Sequence, residues 1–352
     1  GKGHVPGRRA GFLARDPEGQ GGKAMILAGD AGGTKTYLAL FSPQGASLAR
    51  GDVRSYPSRE FPSLESILKE FLGNRRDVNL ACIGVAGPVR SGRSRLTNLP
   101  WLVEEESIRR ACGARRGFLI NDLQATAFAV PFLEPERFAV LQEGEADPEG
   151  AVAVVAAGTG LGVAFLVRSG RDRLPFPSEG GHADFAPRDE REVRLLEYLR
   201  SRFGRVSVER AVSGPGLHAL YRFLREVEGI PEVPEVDARL ACEDPPRAIA
   251  EEGLAGRSAA CREALHLFVS LYGALAGNFA LQFFATGGVV LGGGIAPAIL
   301  PMLSEGTFLD AFRAKGRFRE FLSELPVKVV LDDRAALLGA AHYAMAREGG
   351  EG

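Results

Sequence analysis

Twice in this chain a turn of glycine and threonine joins two apolar runs, in GDAGGTKTYLALF at 29–41 and in AAGTGLGVAFLV at 156–167. In each case the residues after the turn are β-branched, aromatic or aliphatic, which favours a strand and so a β-hairpin. Each hairpin opens a stretch in which helix-like and strand-like segments alternate. A repeated opening of this kind, weak as sequence identity, points to two related α/β halves. The 352 residues are enough for both, at about 100–200 residues per compact domain.

In the first half, Met25–Gly29 and Thr36–Phe41 read as strands, with Gly32 and Gly33 supplying the positive φ angles of a tight hairpin. Leu64–Leu72 has helical spacing after a Pro-Ser start. Leu80–Ala86 and Phe118–Ile120 read as buried strands, and Leu123–Phe132 as a helix that either Asn121 or Asp122 caps. In the second half, strands Ala151–Ala157 and Leu161–Val167 precede helices at Glu190–Phe203, Gly216–Val227 and a long stretch from Arg247 to Phe284. Strands Val289–Leu291 and Val327–Leu331 flank a helix around Pro301–Phe312, and Ala335–Ala346 closes the chain. No low-complexity linker intervenes. The expected organisation is therefore a small α/β domain of 24–132 plus 334–348 and a large one of 133–333, hinged at the crossovers near 132 and 333. Residues 1–23, rich in Gly and Arg and without the apolar run of a secretory signal, are expected to be a flexible extension, with Met25 a natural start.

Composition excludes several classes. A formal net charge of −1, from 43 Lys+Arg and 44 Asp+Glu, gives no basic footprint for nucleic acid. Residues 265–303 carry no charged side chain, but His266, Asn278, Gln282 and paired glycines interrupt them, so a buried helix and core strand are expected rather than a membrane span. Four cysteines without a CxxC pair argue against a zinc site or disulfide framework and for a reducing cytoplasm.

Five constellations can carry chemistry. Gly29-Asp30-Ala31-Gly32-Gly33-Thr34 is a turn whose backbone N–H groups can approach phosphate oxygens, with the Thr34 hydroxyl as a further donor. Asp30 at the strand end is placed to hold magnesium, directly or through water. The motif is not a P-loop, because Thr34 separates Gly33 from Lys35, and an ordinary hairpin turn explains it equally well. Gly158-Thr159-Gly160 leads into a strand, whereas a dinucleotide fingerprint should open a helix. Gly292-Gly293-Gly294 leaves a surface on which a flat base can lie, or packs closely against backbone. Asp122 follows a buried strand, where α/β sheets bind ligands, although a helix cap is the competing role. In Ser178-Glu179-Gly180-Gly181-His182, two glycines let an acid and an imidazole converge on one small polar ligand, against the plainer reading of a solvated loop.

In this order the five pieces resemble the bacterial glucokinases of the actin-like, hexokinase-type superfamily, from about Met25 to the closing helix. GDAGGTK looks like the family's first phosphate motif, LINDLQATAFAV its catalytic segment and AAGTGLGVAFLV its second phosphate motif. SEGGHADFAP looks like the sugar-binding loop, VSVERAVSGPGL a further sugar-facing helix and GGVVLGGGI the adenosine motif. The cysteine-rich zinc motif of the related ROK kinases is absent, which points to the zinc-free branch, and Lys35 stands where many relatives have Asn.

The resemblance implies two ribonuclease H-like domains with the active site in the interdomain cleft, and phosphorylation of the 6-hydroxyl of glucose by ATP-Mg. Asp122 is then the general base. Asn98, Asn121, Glu179, His182 and Glu209 bind sugar hydroxyls. Gly29–Thr34 and Gly158–Gly160 hold phosphates, and Gly292–Gly294 the adenosine. A cytoplasmic homodimer with no nucleic-acid or membrane partner is expected. Glu209 taken by itself reads as an exposed helix residue. Phosphorylation of another hexose or an amino sugar, and a non-catalytic sugar sensor, are the alternatives. The sensor lacks support, since the 24 residues before Met25 are too few for a helix-turn-helix domain.

Overall fold

A computed structural model describes residues 25–45, 47–96, 99–169 and 172–349. The expected extension 1–23 and the candidate Asn98 lie outside the described residues. The chain divides into two units, one running to Phe132 and resuming at Ala336, the other spanning Leu133–Ala335.

The first unit is built on β1 (Met25–Ala31), β2 (Lys35–Gln44), β3 (Ser47–Arg50), β4 (Arg54–Pro57), β5 (Val78–Val85) and, beyond the small hairpin of β6 (Arg93–Arg95) and β7 (Leu102–Glu104), β8 (Arg116–Asn121). The sheet order is β3-β2-β1-β5-β8, with β4 also pairing β2. The first three strands run antiparallel, while β5 and β8 are parallel to β1 and its neighbour. Strand periodicity sorts the side chains to two faces. Leu27, Ile83 and Leu119 pack under α1 (Leu64–Leu72) and α2 (Glu105–Cys112). Ile26, Ala28, Cys82 and Ile120 face Ala125 of α3 (Asp122–Ala129) and the closing helix Ala335–Gly349. That helix presents small residues (Ala336, Ala340, Ala341) because it lies close to α3: a Cβ on Gly339 would collide with the Ala125 carbonyl.

The second unit repeats the plan. Its sheet runs β12 (Asp172–Ser178), β11 (Leu161–Ser169), β10 (Val152–Ala157), β13 (Gly288–Gly292), β14 (Val327–Val330), with β9 (Phe138–Gln142) antiparallel at the far edge. As in the first unit, an antiparallel trio meets parallel strands at the hairpin strand. The helices are α4 (Glu190–Phe203), α5 (Gly214–Glu226), α6 (Pro234–Cys242), α7 (Pro245–Leu254), α8 (Ala259–Gln282), α9 (Ile295–Ala298), α10 (Leu300–Leu303), α11 (Thr307–Arg313) and α12 (Arg319–Glu324). The uncharged stretch is α8 followed by β13. Alone among the described helices, α8 is long and apolar enough to cross a membrane, and 78% of its apolar window is buried in the protein. Tyr272 of α8 donates to the Val155 carbonyl at 2.9 Å. Gly273 and Gly277 let α11 approach so closely that a Cβ on either would strike the Phe308 or Phe312 carbonyl.

Several expected elements change shape. The stretch from Arg247 breaks into α7 and α8, because Ser258 caps a new helix by accepting from Cys261 N. The helix expected at Pro301–Phe312 is divided between α10 and α11, with Gly306 at φ +103 between them. The helix after Asp122 ends at Ala129 and tightens into a 3-10 turn at Val130–Phe132. The expected positive φ at Gly32 and Gly33 does not occur. The turn spans three residues between strand ends and closes through Gly32 N to Lys35 O at 3.0 Å, so the two-residue geometry that demands left-handed backbone does not apply.

Candidate active site

In the first unit the parallel strands align their C-terminal ends. Asp30 sits opposite Gly84, and Val85 opposite Asn121. A Cβ on Gly84 would make ordinary contact with Asp122 Cα and Gly29 O, each at 3.5 Å. The result gathers Asp30, the Gly32–Thr34 turn and Asp122 at one sheet edge, where ligands of α/β sheets bind. Gly29 and Ala31 prove to be buried inside the ladder, Gly29 wedged against Ile83 and Leu38. The more accessible part of the motif is Gly32–Thr34. The turn is braced by Ser58, which donates to Gly32 O at 2.8 Å and lies 2.9 Å from Thr36 Oγ1. No motif pointed to Ser58, and the only available signal was a small hydroxyl residue between the apolar runs.

Of the two residues that the sequence left open as the cap, Asn121 takes that place. Asn121 is the cap: its Oδ1 accepts from Leu123 N at 3.0 Å and Gln124 N at 3.3 Å, and its amide donates to Gly87 O at 3.1 Å. Gln124 completes a capping box. Asp122 is thereby not needed as the cap. It occupies the first helical turn, half-buried, with Oδ1 accepting from Leu123 N at 2.8 Å. Burial raises its pKa above the ordinary carboxylate value, opposed by the backbone and Asn121 hydrogen bonds.

In the second unit, Glu179, His182 and Glu209 come together. His182 Nε2 is 4.0 Å from Glu179 Oε2, and its Nδ1 is 4.0 Å from Glu209 Oε1. These gaps exceed hydrogen-bond length, so each polar atom retains capacity for a ligand hydroxyl. Glu209 lies in a 3-10 turn, Val208–Arg210, and is partly buried, which corrects the exposed helical position expected of it. Its Oε2 accepts from Leu161 N at 2.9 Å, tying it to the end of the second hairpin. A Cβ at Gly160 would fall 2.7 Å from that oxygen, so a larger residue there would displace the carboxylate. Gly181 packs against the Leu161 carbonyl, and Arg205 holds the loop by donating to His182 O at 2.7 Å.

The hairpin turn itself, Gly158-Thr159-Gly160, closes through Gly158 N to Gly160 O at 2.8 Å, and Gly214 N donates to Gly158 O at 2.8 Å. Nothing crowds Gly158, and Thr159 is exposed. The third glycine group splits by function. Gly292 is a buried ladder residue paired with Ala156. Gly293, at φ +78, packs against Ala157 where no Cβ fits, while Gly294 borders open space. Gly293 and Gly294 are both exposed, whereas Gly292 is not.

Among the described residues no cluster of three His, Cys, Asp or Glu could cage a metal ion. Magnesium does not need one, since it keeps several waters and takes one or two carboxylates plus substrate phosphates. Asp30, at a strand end beside a glycine turn, fits that requirement.

The sequence model of the glucokinase family matches residues 27–347. A glucokinase of Nostoc punctiforme is 40% identical over 333 residues, covering 90% of this chain and 98% of the relative. The crystal structure of a glucokinase from an Antarctic psychrotroph superposes with a TM-score of 0.80 at 32% identity, covering 92% of this chain and 99% of the other. That of a Balamuthia mandrillaris glucokinase in complex with glucose shares the fold, with a TM-score of 0.75, 21% identity and coverage of 91% and 93%. Two hairpin-led halves, an aspartate freed from capping at a strand end, and a match that runs through every motif place the chain in the glucokinase family.

Proposed function

We propose that Asp122 is the general base of this ATP-dependent glucose kinase. The observation that carries the reading is the division of labour at the start of α3: Asn121 caps the helix, leaving Asp122 half-buried at the strand end beside Asp30 and the Gly32–Thr34 turn. A sugar alcohol is a poor nucleophile at neutral pH. An ionised Asp122 accepts the proton of the 6-hydroxyl as the oxygen attacks the terminal phosphorus of ATP, which contributes about 10²–10⁴ in rate. The donor leaves as ADP and the product is glucose 6-phosphate. A carboxylate whose pKa is raised by burial holds that proton better than an exposed one does.

Glu179, His182 and Glu209 bind the remaining hydroxyls, His182 as donor or acceptor between two acceptors. Asn121 can add one N–H at most, since its oxygen already accepts two backbone amides and its nitrogen donates once. Asn98 completes the set. With the Gly32 and Gly158 N–H groups closing their turns, the N–H groups of Gly33, Thr34, Thr159 and Gly160 and the exposed Thr34 and Thr159 hydroxyls cradle the phosphates, and Gly294 leaves room for the adenosine. Magnesium, held through water by Asp30, would supply electrostatic stabilisation of the phosphoryl oxygens. The reading includes a cytoplasmic homodimer, and the free cysteines agree with a reducing compartment.

A coupled assay with ATP-Mg and a panel of glucose, mannose, fructose and glucosamine tests the substrate. Glucose should give the highest kcat/KM. A clear preference for another sugar would transfer the assignment to that sugar.

A further inference from the structure

Within the second unit, apart from the residues assigned to sugar and nucleotide, lies a cavity of about 180 Å³ between the 184–188 segment, α8 and the 3-10 turn that carries Glu209. It is roomy enough for a ligand of a few heavy atoms. Its polar lining is Arg188, Glu192, Asn278, Lys315 and Asp184.

The lining carries two cations and two anions, but both anions are already paired with arginines. Glu192, 2% exposed, is taken up by Arg188, whose Nε donates to the carboxylate at 3.0 and 3.1 Å. The same guanidinium also reaches Ser270 Oγ at 2.9 Å. Asp184, at the exposed rim, is paired with Arg205 at 2.6 Å. Lys315 is different. Its stem crosses α8 where Gly277 has no side chain, a Cβ there falling 3.0 Å from Lys315 Cε. No hydrogen bond or ion pair engages its ammonium group among the described residues. Burial and the nearby Arg188 push its pKa below the ordinary lysine value, partly offset by Glu192. A half-buried cation whose nearest carboxylate is bonded to another arginine is poorly compensated, and an incoming anion reduces that cost.

We propose that this cavity is a binding site for a small oxyanion, a phosphate or a short-chain carboxylate, held by the Lys315 ammonium with the Asn278 amide as second donor. The site shares a wall with the sugar-facing segment. Val208 and Val212 line it on either side of Glu209 in sequence, and Val208 N bonds Ala183 O at 2.9 Å.

Calorimetric titration of the full chain at constant ionic strength, with inorganic phosphate and separately with lactate, tests the site. It does so without recourse to turnover, so its failure is distinct from failure of the kinase reading. Saturable binding is expected for at least one anion, and which one binds identifies the source. Binding should weaken about tenfold or more in Lys315→Met, which removes a charge-assisted bond, and likewise in Ala274→Leu, which fills the cavity while keeping the lysine. Glucose phosphorylation without added anion should be unchanged in both. Absence of saturable binding for both anions, or equal binding in all three proteins, would overturn the proposal.

Discussion

At the residue scale, burial and capping together decide what Asp122 can do. Its carboxyl is held above the ordinary range chiefly by desolvation, so the acid limb of kcat/KM should fall at a pH higher than that of an exposed aspartate. Activity should disappear as pH drops through that value, because only the ionised form accepts a proton. The sign for stability is opposite. A raised folded-state pKa means that ionisation opposes folding, so Asp122→Asn should melt no lower than the parent at neutral pH. Glu209 separates binding from structure. Glu209→Gln can still accept from Leu161 N but loses the charge facing His182, and should raise the glucose KM by about tenfold with little change in melting. Glu209→Ala strands the Leu161 N–H as well and should cost a further ~1–2 kcal/mol in denaturant unfolding. Asp122 and the SEGGH loop stood out by residue type and position, but their roles came from the family resemblance. Glu209 was legible only through the family resemblance, because its partner Leu161 is 48 residues away. Ser58 was not legible at all, since its contact with Gly32 closes over 26 residues.

At the scale of elements, glycines do more packing than ligand binding. Gly293 combines a left-handed φ with backbone contact to Ala157. Gly293→Ala should therefore destabilise the second unit by about 2 kcal/mol or more, read as a lower denaturant midpoint, and raise the KM for ATP through the displaced Gly158 turn. The two hairpins and the main core strands were visible as apolar runs beside glycines. Strand β12 was not, because DRLPFPS carries two prolines that only an edge position tolerates. The breaks before α8 and after α10 fall in short polar segments that carry their own marks, Gly256 with the Ser258 cap and Gly306 at positive φ.

At the scale of the whole molecule, two copies of one strand order account for the recurrence in the text. Each unit buries its own core, and the closing helix returns the chain to the first one. That return places His342, 9% exposed, in a face-to-face stack on Phe132 at 3.6 Å between ring centres. Burial pulls its pKa down to about 4. Its contribution is therefore complete above pH ~6.5 and lost as pH falls toward 4, by roughly 3 kcal/mol at most. Unfolding free energies at pH 7 and 4.5 should show a smaller acid loss in His342→Phe than in the parent.

The account rests on Asp122 as the proton acceptor, and the direct measurement pairs a coupled glucose 6-phosphate assay with calorimetric glucose binding on one preparation of Asp122→Asn. A fall in kcat of about 10²–10⁴, with glucose affinity within a few-fold of the parent, is the predicted result. Turnover close to that of the parent, in a protein that still binds glucose, would contradict it.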